Sequence, residues 1–310
     1  MSGTPERSRD AGGVAYAAAA YVFWGLFPAY FRTLAGVPAP EILSHRIVWS
    51  AVFVAGLITV RGDWAGTLRQ LRAPGTLRTL TGSALFISVN WVTYIWAVNS
   101  GHVLEASLGY FVNPLVTVLL GVVFLRDSLS RRQVISIGIA AAGVTALVVR
   151  AGHVPWIALA LAFTFGMYGL IRKRVRVDAV PGLLGEVAVL TPLALGYQLF
   201  LAHAGTGHFG ASPGRSALLA STGVVTAVPL IWFANGVQRL RLSTIGLLQY
   251  LNPTMQFLIA VFAFGETFTR DHAIAFGCIW VSLVIYTAEA LARARRPSLP
   301  ALPAAPGGSR

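Results

Sequence analysis

The chain has 310 residues, of which 55% are hydrophobic and only 11% are charged, and its formal net charge is +13. Because soluble domains carry about 25% charged residues, this composition excludes a disordered chain and an ordinary soluble protein with a polar shell. The basic excess does not indicate nucleic-acid binding, since the Lys and Arg residues lie in short breaks between apolar runs. One cysteine, Cys278, excludes an intrachain disulfide.

Apolar segments follow one another along the chain, each near the length of about 20 residues with which a helix crosses a bilayer. They lie at residues 11–32, 40–60, 78–99, 103–125, 133–150, 154–172, 182–202, 216–238, 242–264 and 272–291. The pattern predicts an all-α integral membrane protein with ten transmembrane helices. Residues 1–10 are predicted to form a cytoplasmic tail, and residues 292–310, rich in Pro, Ala and Gly, a disordered cytoplasmic tail.

The basic residues indicate how these helices are oriented. If the ten segments alternate in direction, most of the 24 Lys and Arg residues fall on one side of the bilayer. By the positive-inside rule this side is the cytoplasm. We therefore expect a multi-pass inner-membrane protein with both termini in the cytoplasm.

An internal repeat divides the apolar part of the chain into two halves. Residues 108–125, LGYFVNPLVTVLLGVVFL, align with residues 247–264, LLQYLNPTMQFLIAVFAF, so an Asn-Pro pair recurs in helices four and nine. Since each half, 11–150 and 151–291, holds five helices, the second half must be inverted relative to the first. Two inverted five-helix repeats around a midplane site are typical of secondary transporters. Two parallel bundles with a structural role are the alternative.

The Asn-Pro pairs are candidates for helix breaks and for a binding site. Pro114 and Pro253 each remove a backbone N–H and free a carbonyl one turn earlier. Asn113 and Asn252 add a side-chain donor and acceptor beside this loosened backbone. Because unpaired polar groups are costly in a bilayer, these amides are predicted to contact a solute. The alternative is that they only tie neighbouring helices together.

Further polar and aromatic side chains extend this candidate site. Tyr110 and Gln249 lie about one turn before the Asn-Pro pairs. Helix three and helix one contribute an amide and three rings, namely Asn90, Trp91, Tyr94 and Trp24. Rings and amides with little fixed charge suit a small amphipathic or zwitterionic solute, although aromatic residues in membrane helices more often serve packing or interfacial anchoring.

Ionisable residues inside the predicted helices form another set of candidates, because charges are expensive in a bilayer. Arg46 in helix two is expected to attract an anionic or zwitterionic group, unless it only snorkels to the surface. His45 beside it and Glu186 in helix seven are candidates for proton coupling or gating. Glu105 belongs to the same set and is an alternative partner for Arg46. The sequence leaves these pairings open.

No motif in the sequence indicates an enzyme or a bound cofactor. The chain has no Walker loop, no His-x-x-x-His metal helix and no Gly-x-Ser-x-Gly nucleophile motif. We expect no cofactor, no metal and no nucleic acid, with a small-molecule solute and the lipid bilayer as partners, and a cavity complete in one chain, which is compatible with a monomer. The leading hypothesis is a secondary transporter that works by alternating access, coupled to protons or by exchange. A membrane enzyme or sensory scaffold, and a lipid flippase, are the alternatives.

Several stretches resemble the RarD-type branch of the EamA permeases, within the drug/metabolite transporter superfamily. They are VFWGLFPAYF (22–31), EILSHRIVWS (41–50), NWVTYIWAVN (90–99), HVLEASLGYFVNPL (102–115), MYGLIRK (167–173) and RLRLSTIGLLQYLNP (239–253). The resemblance extends over about residues 11–291. It implies two EamA repeats, a central cavity that opens alternately to each side, and transport of metabolites or drugs.

One position departs from the family pattern. The Gly-Glu pair that commonly follows the fourth helix of a repeat is present as Gly265 and Glu266 in the second half, but Arg126 and Asp127 replace it in the first. The acidic residue is kept, and the tight glycine turn is in question.

Overall fold

The computed structural model describes residues 4–99, 103–151 and 156–259, and towards the C-terminus residues 262, 277–278, 280–282, 284–286 and 288–289. Within this part of the chain the regular elements are helices and there is no strand. The predicted all-α class is therefore confirmed.

The helices in the described residues are numbered in chain order. They are α1 (Thr4–Gly25), α2 (Phe27–Arg32), α3 (Ala39–Arg61), α4 (Trp64–Arg72), α5 (Thr76–Asn99), α6 (Val103–Leu125), α7 (Arg131–Ala151), α8 (Trp156–Arg174), α9 (Ala179–Ala204), α10 (Pro213–Arg239), α11 (Leu242–Leu248) and α12 (Leu251–Leu258). They coincide with the first nine predicted segments, except that segments one and nine are each divided and that α4 was not predicted. The tenth segment, 272–291, lies mostly outside the described residues.

The exterior of the bundle is apolar. By length and composition, four helical stretches in the described part of the chain are able to cross a membrane: Ala11–Arg32, Ala39–Arg61, Ala179–Ala204 and Pro213–Arg239. On α9, Leu193, Leu199 and Phe200 are 77%, 70% and 63% exposed. Large apolar side chains on the outside suit lipid rather than water, as expected of a membrane protein.

Proline accounts for the two divided segments. The break between α1 and α2 comes just before Pro28, which stands in the first turn of α2, where a residue without an N–H is tolerated. The break between α11 and α12 includes Gln249. Its cause is Pro253, because a proline ring crowds the carbonyl four residues earlier. In the first half, by contrast, α6 continues through Pro114.

The helix α4 was missed because nine residues with two arginines have the composition of a polar loop. It is fastened to the start of α9 by two reciprocal hydrogen bonds. Gln70 Nε2 donates to Asp178 Oδ2 at 2.8 Å, and the Asp178 backbone N–H donates to Gln70 Oε1 at 2.9 Å. This short helix therefore braces the turn between α8 and α9.

Helices α3 and α10 approach each other closely at Gly223. A Cβ at this position would lie 2.3 Å from the carbonyl carbon of Trp49. Across the same contact, Ser50 Oγ donates to the Gly223 carbonyl at 3.0 Å. Small residues and interhelical hydrogen bonds are the usual means by which membrane helices associate, so the packing here depends on glycine.

The turn after α6 keeps a glycine-like conformation without glycine. Arg126 has a φ of 55°, in the left-handed region that favours glycine. The following Asp127 accepts a hydrogen bond at 2.9 Å from the backbone N–H of Ser243, at the start of α11. The acidic residue therefore caps a helix of the other half.

Arg126→Gly is expected to stabilise the protein by about 1 kcal/mol, because the left-handed conformation costs a non-glycine residue roughly that much. Thermal unfolding in detergent measures the effect. Arg126→Ala removes the long side chain but keeps a Cβ in the left-handed conformation, so it is the matched control. Equal unfolding midpoints for the two variants would show that this conformation does not destabilise the protein. The corresponding pair Gly265 and Glu266 lies outside the described residues.

The helix directions define two ends of the bundle. At one end, α3, α6 and α8 begin and α5 finishes. There the Arg46 guanidinium of α3 lies 4.9 Å from the ring centroid of Trp91 in α5. Gly109 of α6 approaches Ala158 of α8 at the same end. We call this the Arg46 end. At the other, the Arg172 end, α8 finishes and α9 begins, with Arg172 in the last turn of α8.

Candidate functional site

A cavity of about 220 Å³ lies inside the bundle towards the Arg46 end. Its walls are mostly aromatic rings and amides, contributed by both halves of the chain. The lining residues are Tyr21, Trp24, Phe27, Phe31, Arg46, Ile87, Asn90, Trp91, Tyr94, Gly109, Tyr110, Asn113, Leu161, Phe165, Thr226, Leu230, Gln249, Asn252 and Gln256.

All nine side chains predicted to bind a solute line this cavity: Trp24, Arg46, Asn90, Trp91, Tyr94, Tyr110, Asn113, Gln249 and Asn252. Their contact with a solute stays a prediction. Sequence reasoning missed the other lining residues, including Tyr21 and Gln256. Each of these two lies one helical turn from a predicted residue, so a search along the same helix faces would have found them.

Arg46 carries the only fixed charge among the described residues that line the cavity. Its Nε donates to Thr226 Oγ1 at 2.9 Å, and its guanidinium lies over the rings of Trp91 and Phe31 at 4.9 and 5.5 Å. No carboxylate in the described part of the chain pairs with it. The side chain of Glu105, the alternative partner predicted from sequence, lies outside the described residues. The guanidinium therefore points into the cavity with its Nη groups free of hydrogen bonds to the described residues.

Two buried polar atoms at the cavity have no hydrogen-bond partner within the described residues. They are Asn113 Oδ1 and the Tyr21 hydroxyl, and the two residues are 6% and 0% exposed. An unpaired polar atom in such surroundings costs about 1–3 kcal/mol. A solute that donated a hydrogen bond to Asn113 Oδ1 after a rotation of this buried amide would remove that cost, so Asn113 is a candidate for contact with the solute.

The other predicted amides already make bonds between or along helices. Asn90 Nδ2 donates to Thr164 Oγ1 at 3.0 Å, which ties α5 to α8. Gln249 Oε1 accepts from Thr117 Oγ1 at 3.3 Å, and Asn252 Oδ1 accepts at 2.9 Å from the amide one turn later. The interpretation that amides tie helices together therefore fits Asn90 and Gln249 better than Asn113.

Aromatic rings form the remaining walls. The rings of Tyr94 and Tyr110 meet edge to face with their centroids 6.1 Å apart. Those of Trp24 and Phe165 meet in the same manner at 5.8 Å. Such surfaces pack well against a flat or apolar part of a solute.

His45, predicted for proton coupling or gating, is not among the lining residues. Its ring stacks on Phe209 at 5.1 Å, and its Nδ1 lies 3.3 Å from Gln198 Nε2. Its Nε2 lies 4.0 Å from Glu41, whose carboxylate also accepts from the His208 backbone N–H at 2.6 Å. This cluster holds the loop between α9 and α10 against the start of α3.

Glu186 lies at the Arg172 end, also away from the cavity. Its carboxylate accepts hydrogen bonds from the hydroxyls of Ser83 and Tyr168, and Arg172 Nη1 lies 3.7 Å from Glu186 Oε1. These four side chains are buried. Sequence reasoning missed this role of Arg172 because the residue ends the predicted segment 154–172 and begins a basic run, which was interpreted only as a sign of orientation.

The chain is similar to members of a transporter family. Residues 11–149 match the EamA-like transporter family. The chain is 45% identical to the uncharacterized transporter YojE of Bacillus subtilis strain 168, over 89% of this chain and 93% of that protein. It is 44% identical to Protein RarD of Salmonella typhi, over 92% of this chain and 97% of that protein. A solved crystal structure has the same fold with a TM-score of 0.70 at 21% identity, over 90% of this chain and 98% of the other.

Proposed function

Because the chain belongs to the RarD group of the EamA-like transporter family, we propose that it is a secondary transporter for a small zwitterionic or amphipathic solute. The observation that carries this proposal is the cavity at the Arg46 end. It is lined by aromatic rings, by a guanidinium that pairs with no carboxylate among the described residues, and by Asn113, whose Oδ1 has no hydrogen-bond partner there. The matching family and the Bacillus subtilis relative are both named as transporters, which argues against an enzyme.

The chemistry of the walls defines the proposed solute. An anionic group would bind the Nη atoms of Arg46, and a flat or apolar part would pack between the rings. A hydrogen-bond donor, such as an ammonium or hydroxyl group, would pair with Asn113 Oδ1. The cavity volume of about 220 Å³ equals roughly seven water molecules, so the solute is small.

We propose ten transmembrane helices in two inverted repeats, 11–150 and 151–291, in the inner membrane, with the tails 1–10 and 292–310 in the cytoplasm. The agreement of the helix bounds with the predicted segments supports this topology, as does the arrangement of Asn113 and Asn252, one from each repeat, around one cavity. With the positive-inside orientation, the Arg46 end faces outward and the Arg172 end faces the cytoplasm. Alternating access then exposes the cavity to each side in turn.

A thermal-shift screen of the purified protein in detergent tests the proposed solute. The library pairs each amino acid with its uncharged amide and adds nucleosides and antibiotics. A ligand that binds the folded state raises its stability, and we expect carboxylate-bearing members to stabilise the protein where their amides do not. Stabilisation by lipid headgroup compounds alone would favour lipid flipping instead.

Asn113→Ala is expected to weaken binding of the best compound by about tenfold, because one hydrogen bond to a buried amide is lost. The variant should still insert and purify normally. Asn235→Ala, which removes an amide outside the cavity, is the matched control. Equal affinities for the two variants would remove Asn113 from the site; Asn252→Ala tests the second repeat in the same way.

A further inference from the structure

The arginine at the Arg172 end is only partly neutralised. Arg172 is 0% exposed, and its Nε and Nη1 have no hydrogen-bond partner within the described residues. Its hydrogen bond from Nη2 to the Ala179 carbonyl is long, at 3.4 Å. A buried cation with unfilled donors is costly. In this conformation, Nε and Nη1 of Arg172 are therefore able to bind a further anion.

Glu186 accepts no hydrogen bond from these two nitrogens. Its Oε1 lies 3.7 Å from Arg172 Nη1, which is an ion-pair distance but too long for a hydrogen bond. The hydrogen bonds to its carboxylate come from Ser83 and Tyr168. Arg172 is thus able to leave Glu186 for another anion without removing the hydroxyls that hold this carboxylate.

Gly182 makes room for the guanidinium. A Cβ at this position would lie 2.1 Å from Arg172 Nη1 and 2.8 Å from Nη2. Without that Cβ, the guanidinium lies directly against the backbone of the first turn of α9. The positive end of the α9 dipole adds to the attraction for an anion at this place.

Packed rings separate this site from the Arg46 cavity. Trp24 and Phe165 line the cavity, and both contact Phe233, with centroid distances of 5.6 and 5.4 Å. Phe233 in turn stacks on Tyr168 at 5.7 Å, and the Tyr168 hydroxyl donates to Glu186. A movement that parted these rings would connect the Arg46 cavity with the Arg172 end.

We propose that Arg172 is a second anion-binding site on the transport path, which takes over the anionic group of the solute from Arg46 when the Arg172 end opens. In that open state the solute replaces Glu186 beside the guanidinium, and Glu186 keeps its hydroxyl partners. The proposal rests on the transport function proposed above. It requires the solute to carry an anionic group at both sites.

Charged thiol reagents test this site without knowledge of the solute. In a Cys278→Ser background, Ala179→Cys places a reporter beside Arg172. Inside-out membrane vesicles are treated with a methanethiosulfonate reagent that carries either a sulfonate or a trimethylammonium group, and each rate is divided by the reagent's rate with a free thiol. We expect the anionic reagent to react about tenfold faster, because a confined positive site concentrates anions. Glu186→Gln should raise this preference further.

The controls separate the guanidinium from its surroundings. Arg172→Gln combined with Glu186→Gln removes both charges and should abolish the anion preference. Arg46→Gln removes a cation from the other site and should leave the preference unchanged. Ser83→Cys is a second reporter in case Ala179→Cys disturbs folding. No reaction at either reporter, or faster reaction of the cationic reagent, would overturn the second site while leaving the solute-binding tests on Arg46 intact.

Discussion

Replacing Arg46 by glutamine is expected to weaken binding of an anionic or zwitterionic solute by about hundredfold, or roughly 3 kcal/mol. The guanidinium is the one fixed charge among the described lining residues, and no described carboxylate competes for it. Glutamine keeps a polar group near Thr226 but has no charge to offer. The dependence of the unfolding midpoint on ligand concentration measures the affinity.

Two further variants show whether the charge itself matters. Arg46→Lys keeps the charge but loses the planar fork of donors, so its affinity should fall between those of the wild type and Arg46→Gln. Arg215→Gln removes an exposed arginine near the start of α10 and should bind as the wild type does. If Arg46→Gln bound the solute as tightly as Arg215→Gln, the anionic group would have to bind elsewhere.

Gly223→Ala is expected to destabilise the protein by about 3 kcal/mol. The new Cβ would lie 2.3 Å from the carbonyl carbon of Trp49 and 2.5 Å from its oxygen. Because these are backbone atoms, they cannot rotate away, and α3 and α10 must separate. That separation would also break the hydrogen bond from Ser50 to the Gly223 carbonyl. Thermal unfolding in detergent measures the loss.

Gly56→Ala is the matched control for this prediction. Gly56 lies on α3, and a Cβ there meets nothing within 4 Å. Alanine also has a higher helix propensity than glycine, so this variant should be as stable as the wild type or slightly more so. Equal stability of Gly223→Ala and Gly56→Ala would show that α3 and α10 are not packed as closely as described.

The positions of the long helices could be predicted from the sequence because lipid requires about 20 apolar residues per crossing. The segments at 40–60 and 216–238 correspond to Ala39–Arg61 and Pro213–Arg239. The helix α4 could not be found by this signal, since it is short and carries arginines. The left-handed conformation of Arg126 could not be predicted from hydropathy either, because the turn imposes it and the residue type does not.

The members of the candidate site could be predicted, but their bonding could not. The recurring Asn-Pro pair and the spacing of rings on helix three identified side chains that line one cavity. Whether an amide is free or engaged depends on the rotation of a neighbouring helix: Asn90 meets Thr164, whereas Asn113 Oδ1 meets no partner in the described part of the chain. The contact of Arg172 with Glu186 likewise depends on the turn between α8 and α9, which the sequence does not specify.

Solute counterflow in proteoliposomes tests the central claim that the cavity at Arg46 serves to carry an anionic or zwitterionic solute across the bilayer. Vesicles are loaded with the compound that stabilises the protein most in the thermal screen, and entry of the labelled compound is followed. We predict that the label accumulates transiently in wild-type vesicles and not in Arg46→Gln vesicles. Wild-type vesicles that take up no more label than protein-free liposomes, or Arg46→Gln vesicles that match the wild type, would contradict this account.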